Sequence, residues 1–183
     1  MSSCITTYSG KRIDPLDPDA DEICVLDIAH ALSLLCRGNG HVKYFYSVAQ
    51  HCIACANEAA ARGLSTVVRL ACLLHDGAEA YLCDIPRPVK SAMSGYRAAE
   101  DRLLGVILTK YIGRPLSDEE YAATREIDDQ MLAYEFLHLM PHGLGEPKLV
   151  TRPDYALRLP PDVEKEYLSL AEKLISALES ESA

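Results

Sequence analysis

Residues 65–90 read Ser65-Thr-Val-Val-Arg-Leu70-Ala-Cys-Leu-Leu74-His75-Asp76-Gly-Ala-Glu79-Ala-Tyr-Leu-Cys-Asp84-Ile-Pro-Arg-Pro-Val-Lys90. Ser65 is an acceptable helix N-cap, and the apolar run from Val67 to Leu74 predicts a buried helix continuing to about Tyr81. Pro86 and Pro88 forbid continued helix, so 84–88 is expected to be a turn or extended segment. His75 and Asp76 therefore stand near the end of an apolar helix, where a charge is costly to bury unless a partner compensates it. Glu79 follows His75 by four residues and Asp76 by three, which on a continuous helix places all three on one face, with Asp84 just beyond. A divalent cation is a natural compensator for such a group, imidazole and carboxylate together suiting Mn, Co, Ni, Fe, Zn or Mg. The competing reading is a satisfied core histidine beside an acidic helix end.

Working outward, an apolar stripe at Tyr44, Val48, Cys52, Cys55 and Ala59 predicts a helix from about Tyr46 to Ala61, stopped by Gly63. Upstream of it a short helix begins at Leu26-Asp27-Ile28-Ala29 and ends at Gly38-Asn-Gly40, after an irregular Asp- and Pro-rich lead-in over residues 1–25. Downstream a helix covers about Tyr96 to Tyr111 and is closed by Gly113. Ser117-Asp-Glu-Glu120 is a capping box opening a long helix to about Met140, ended by Pro141 and Gly143. A Gly/Pro-containing loop leads to Pro160-Pro161 and an amphipathic helix from Asp162 to Leu178, with 179–183 a solvated tail. Alternating strand patterns are nearly absent, and no repeat or linker divides the chain. These features predict one all-α domain, a helical bundle spanning 1–183.

The bulk numbers narrow the function. A chain of 183 residues supports one sizeable core. The net charge of −9 argues against a nucleic-acid polymer as partner, since polymer binders offer a basic surface; a small phosphate ester needs only local neutralisation. No apolar run reaches membrane-spanning length, and Met1 to Pro15 lacks the plan of a signal peptide. Seven cysteines, mostly inside apolar stretches, fit reduced thiols in a cytoplasmic protein. Cys52-Ile-Ala-Cys55 has metal or redox spacing but lacks a second pair, and reads better as small buried hydrophobes.

Two further residues complete a candidate site. His51 lies at the edge of the stripe, beside Val48 and Cys55; a lone histidine there is more often structural than ligating, but helix packing can bring it to His75. Ile127-Asp128-Asp129 interrupts the apolar pattern of the long helix. At 100° per residue Asp128 shares the side of Glu135 and Leu139 whereas Asp129 turns toward Arg125 and Phe136, so geometry modestly favours Asp128.

The order His, His-Asp, Asp on successive helices resembles the HD-domain phosphohydrolases, and in particular the small YfbR-like group with its bacterial 5′-deoxynucleotidases and phage-type HD hydrolases. Tyr46-Ser-Val-Ala-Gln-His51 is similar to the first metal-histidine segment, and 73–90 to the central motif almost from end to end. Ile127-Asp128 with Glu135 resembles the last motif, and Asp27-Ile-Ala-His30-Ala-Leu32 a lead-in common there; the likeness covers about Gly10 to Leu139. It implies His51, His75, Asp76 and Asp128 as ligands of one divalent metal ion, with Glu79 and Asp84 handling water and a substrate oxygen. It places Arg37 where the family carries a phosphate-contacting arginine, and His41 more loosely; Lys90 is a further cationic candidate. The implied activity is hydrolysis of a deoxynucleotide, as a 5′-deoxynucleotidase or as a dNTP (dATP) triphosphohydrolase, by a metal-activated water. The other readings are a non-catalytic nucleotide- or metal-binding regulatory module and a phosphoesterase for non-nucleotide substrates. The family and the apolar helices are compatible with a homodimer or higher homo-oligomer. Gly38 follows Arg37 where the deoxynucleotidases carry Trp, and the chain has no Trp, so their mode of sugar recognition does not carry over.

Overall fold

Helix α3 (Thr66–Leu74) is the hub of the fold. Its Leu70, Ala71, Cys72, Leu73 and Leu74 are fully buried, and it packs against α2 (Val48–Ala61), α6 (Ser94–Ile112), α7 (Asp118–Leu139) and α8 (Pro160–Ser182). The apolar run over residues 70–74 cannot leave a face in water, so helices that each offer it an apolar stripe enclose it. Helix α1 (Val25–Leu34) closes the bundle against α8 and α2. The coordinates are those of a computed structural model describing residues 4–182, and they form the expected all-α fold. Among the described residues no helix is long and apolar enough to cross a membrane.

Local chemistry sets the helix ends. Ser117 and Glu120 form the expected capping box on α7; Ser47 and Gln50 form a second on α2, so that helix starts at Val48 and leaves Tyr44 outside it, half exposed. Glu58, buried on α2, accepts from the backbone N–H groups of Val150 and Thr151, from the Thr151 hydroxyl and from Arg62. The long loop between α7 and α8 is thereby tied to the bundle.

Four expectations are corrected. The helix predicted from Ser65 to Tyr81 stops at Leu74, and a separate short helix α4 (Glu79–Leu82) follows. Between them Gly77 N–H bonds to Leu74 C=O at 2.8 Å and Glu79 N–H to Asp76 C=O at 2.9 Å, a tighter three-residue pattern that bends the chain. The last carbonyls of α3 find other donors: His75 Nδ1 for Cys72, and the buried Tyr167 hydroxyl for Leu73, at 2.8 and 2.7 Å. Second, the predicted turn at 84–88 is shorter than expected, because α5 (Arg87–Ala92) starts within it; Pro88 lies in the first turn, where its missing N–H leaves no bond unmade. Third, the lead-in holds strands β1 (Ile5–Thr6) and β2 (Arg12–Ile13), paired antiparallel, and anchors itself through the fully buried Ile13 and Ile23. Fourth, the tail predicted from residue 179 stays helical to Ser182; residues 1–3 and 183 lie outside the described residues.

Candidate metal centre

His51 enters the site from α2, His75 and Asp76 from the turn after α3, and Asp128 from α7. His51 Nε2 lies 3.2 Å from His75 Nε2 and 3.1 Å from Asp128 Oδ1. His75 Nε2 is 3.6 Å from the same Asp128 oxygen and 3.4 Å from Asp76 Oδ1, while Asp76 Oδ2 is 3.9 Å from His51 Nε2. The outer nitrogens of both rings are committed elsewhere. His51 Nδ1 meets Glu135 Oε1 at 2.6 Å, and His75 Nδ1 meets the Cys72 carbonyl. Both of those oxygens only accept, so each Nδ1 carries a proton and each Nε2 turns inward, as in metal sites whose second partners fix the imidazole tautomer.

These distances suit a cation. Ligands about 2.1 Å from an ion lie about 3 Å apart at right angles and about 3.4 Å apart in a tetrahedron. The electrostatics agree. Burial and Arg37 push His51 down, yet Glu135 and Asp128 outweigh them and hold it above its ordinary value. Burial likewise opposes charge on His75, and Asp76 overcomes it. The adjoining His51 and His75 imidazoles carry the Asp128 carboxyl far below the usual range despite its burial, and Asp76 is also lowered against burial by His75 and Arg37. The surroundings favour positive charge where His51, His75, Asp76 and Asp128 come together.

Arg37 is a buried cation beside the centre. Its guanidinium donates to Glu135 Oε2 and to Asp76 Oδ2 at 3.3 Å each, joining the carboxylate that orients His51 to Asp76. Glu79 is 4% exposed; burial, with Asp76 and Asp84 beside it, pushes its carboxyl well above the ordinary value. One Glu79 oxygen accepts from Lys90, and the other is buried without a hydrogen-bond partner. Asp84 is likewise raised, by burial and by Asp76, and lies in the wall of a cavity of about 600 Å³ beside the centre. That wall also holds Arg37, His41, Asp76, Glu79, Lys90, Asp128 and Glu135, with Val42, Ile85, Leu132, Phe136, Leu139 and Met140 supplying apolar surface. A second cavity, of about 320 Å³, shares Asp76, Glu79, Arg87, Lys90 and Asp128 with the first and adds His75.

All nine candidate residues from the sequence thus lie at the centre or in a cavity beside it. His41 is only an exposed wall residue, and Lys90 is already engaged by Glu79 and Glu100. Sequence reasoning gave Glu135 no role of its own, although it lies two helical turns beyond Asp128. It missed Arg87, which bonds to Asp128 and Asp129. The two cysteines of α2 are buried, as expected, but are also possible donors. His51, Cys55 and His75 have ligand atoms within 4.8 Å of one another, as do Cys52, His75 and Asp76. Burial raises the Cys55 thiol and pushes that of Cys52 up to about 11, which keeps both protonated near neutrality and favours the carboxylates as donors. The signal for Cys55 was its place one helical turn after His51.

No family model matches the chain. It is 38% identical over 109 residues to the uncharacterized protein YfdR of Escherichia coli, a match covering 60% of this chain and 58% of that protein. It is 33% identical over 186 aligned positions to the uncharacterized protein RCAP_rcc00048 of Rhodobacter capsulatus, covering 93% and 94% of the two.

Proposed function

We propose that this chain, which belongs to the same family as RCAP_rcc00048 of Rhodobacter capsulatus, is a divalent-metal-dependent phosphohydrolase acting on deoxynucleotides. The observation that carries the reading is the convergence of two inward-facing imidazole nitrogens and two carboxylates beside a cavity that Arg37 lines. Its resemblance to the HD-domain phosphohydrolases, strongest over 73–90, supports the same chemistry. When bound, the cation acidifies a water and polarises the phosphoryl oxygens.

The protein's own groups have separable tasks. His51, His75, Asp76 and Asp128 hold the cation, and Glu135 keeps His51 in the tautomer that can do so. Arg37 offers fixed N–H donors to charge developing on phosphoryl oxygens, held in place by Glu135 and Asp76. Glu79 and Asp84, both raised toward neutrality, exchange a proton with water or with the leaving oxygen. The apolar wall formed by Leu132, Phe136, Leu139 and Met140 suits the flat faces of a nucleobase.

The test is a substrate panel of dNMPs, dNTPs, cyclic nucleotides and sugar phosphates with added Mn²⁺ or Co²⁺, read by release of phosphate, pyrophosphate or triphosphate. Turnover of a deoxynucleotide that stops with EDTA and with Asp76→Ala is expected. Nucleotide binding without product, or unchanged turnover in Asp76→Ala, would refute the proposal.

A further inference from the structure

Arg87 stands outside the donor set, yet it holds one oxygen of Asp128. Its Nη2 donates to Asp128 Oδ2 and its Nη1 to Asp129 Oδ1, both at 2.6 Å. The other Asp128 oxygen, Oδ1, is the one that meets His51 and His75. One carboxylate is therefore divided, with an oxygen tied to the guanidinium and an oxygen facing the imidazoles. Asp129, which follows on α7 and is largely exposed, takes the second arm of the planar fork and fixes its direction.

We propose that Arg87 and Asp129 are positioning residues for the metal centre: together they hold Asp128 so that Oδ1 alone faces the cation. The inference rests on the proposed metal site and adds two residues to it. Alternative uses of the pair are weak. The Arg87 side chain is 52% exposed and Asp129 47%, so the ion pairs contribute little to folding. Helix α5 has no buried residue and packs chiefly on α6, so Arg87 is not the pin of a core element. What the contact does change is the freedom of Asp128, whose side chain would otherwise turn to offer either oxygen, both or neither. The pairing also divides the labour between the two adjacent aspartates, one facing inward to the imidazoles and one outward to hold the arginine.

A guanidinium near a divalent cation also repels it, and the sign of the effect decides between the two influences. The experiment is calorimetric titration of the full chain, stripped with EDTA and dialysed, with Mn²⁺ alone, for the wild type, Arg87→Met, Asp129→Asn and the double variant. If orientation dominates, each single variant binds Mn²⁺ on the order of 10–100-fold more weakly. Asp129→Asn should then add little in the Arg87→Met background, because both act through one contact. Melting without metal should fall by no more than about 3 °C in either single variant. Unchanged or tighter binding in Arg87→Met, or losses that multiply in the double variant, would overturn the inference while leaving the metal centre in place. Absence of Mn²⁺ binding by the wild type would instead overturn the centre, and this inference with it.

Discussion

Replacing Gly77 by alanine puts one methyl group into the turn that carries His75 and Asp76. A Cβ at this position falls 2.9 Å from the Leu74 carbonyl oxygen and 3.4 and 3.5 Å from two carbons of Ile107. The Ile107 contacts can relax by small side-chain movements. The carbonyl cannot, because it is backbone at the end of a buried helix and already accepts the Gly77 N–H at 2.8 Å. Overpacking of this kind costs about 1–3 kcal/mol. Alanine restricts the unfolded chain more than glycine does, which offsets about 0.4–1 kcal/mol. The net destabilisation is then about 1–2 kcal/mol, or roughly 2–8 °C in melting temperature for a chain of this size. Relief of the clash must move Gly77 or the end of α3, and either displaces the adjacent His75 and Asp76, so Mn²⁺ affinity should fall about tenfold as well. Urea unfolding in EDTA measures the first effect and calorimetric Mn²⁺ titration the second. Ile107→Val in the Gly77→Ala background is the control: it removes a side-chain contact but not the carbonyl clash, and should restore little. A Gly77→Ala protein with wild-type stability and affinity would refute the tight turn as the element that presents His75 and Asp76.

Other consequences are simpler. Glu58→Gln should destabilise by about 2–3 kcal/mol at pH 7, since Glu58 accepts four hydrogen bonds as a buried carboxylate. Its bonds hold the Glu58 carboxyl below its ordinary value of 4.5 against the opposing effect of burial. This stability is therefore full above pH 4.5 and is lost as pH falls through the lowered folded value, so melting curves of variant and wild type should converge in acid. Tyr167→Phe removes the donor to the Leu73 carbonyl and should cost about 1–2 kcal/mol in urea unfolding. Ser117→Ala breaks the capping box of α7 and should cost about 1 kcal/mol without changing Mn²⁺ affinity.

The fold was legible where one periodicity ran uninterrupted. The stripe from Val48 to Ala59 and the capping box at Ser117 each predicted a helix that the structure contains. It was least legible at the site itself. An apolar run followed by Ala80-Tyr-Leu82 looks like a single helix, and nothing local to Gly77 announces that Ile107 and the Leu74 carbonyl leave no room for a side chain there. The break at Leu74 depends partly on a tertiary partner, Tyr167, which together with the neighbouring His75 takes the freed carbonyls. His75 and Asp76 stood out because ionisable groups ended a buried run, whereas His51, on the edge of a stripe, did not. Asp128 was separable from Asp129 by helix angle, but the guanidinium that makes use of both comes from α5, about forty residues earlier, and no spacing rule links the two. Glu135 lies two turns from Asp128 on one helix, which marks a shared face and leaves open which oxygen meets which ring.

The central claim is that His51, His75, Asp76 and Asp128 hold one divalent cation. Co²⁺ titration of the EDTA-stripped chain, followed by visible absorption and calorimetry, tests it most directly. One equivalent of Co²⁺ per chain with a d–d spectrum is expected, with loss of both signals in His75→Ala and Asp128→Asn variants that still melt cooperatively. No saturable binding, or an unchanged spectrum and stoichiometry in both variants, would contradict it.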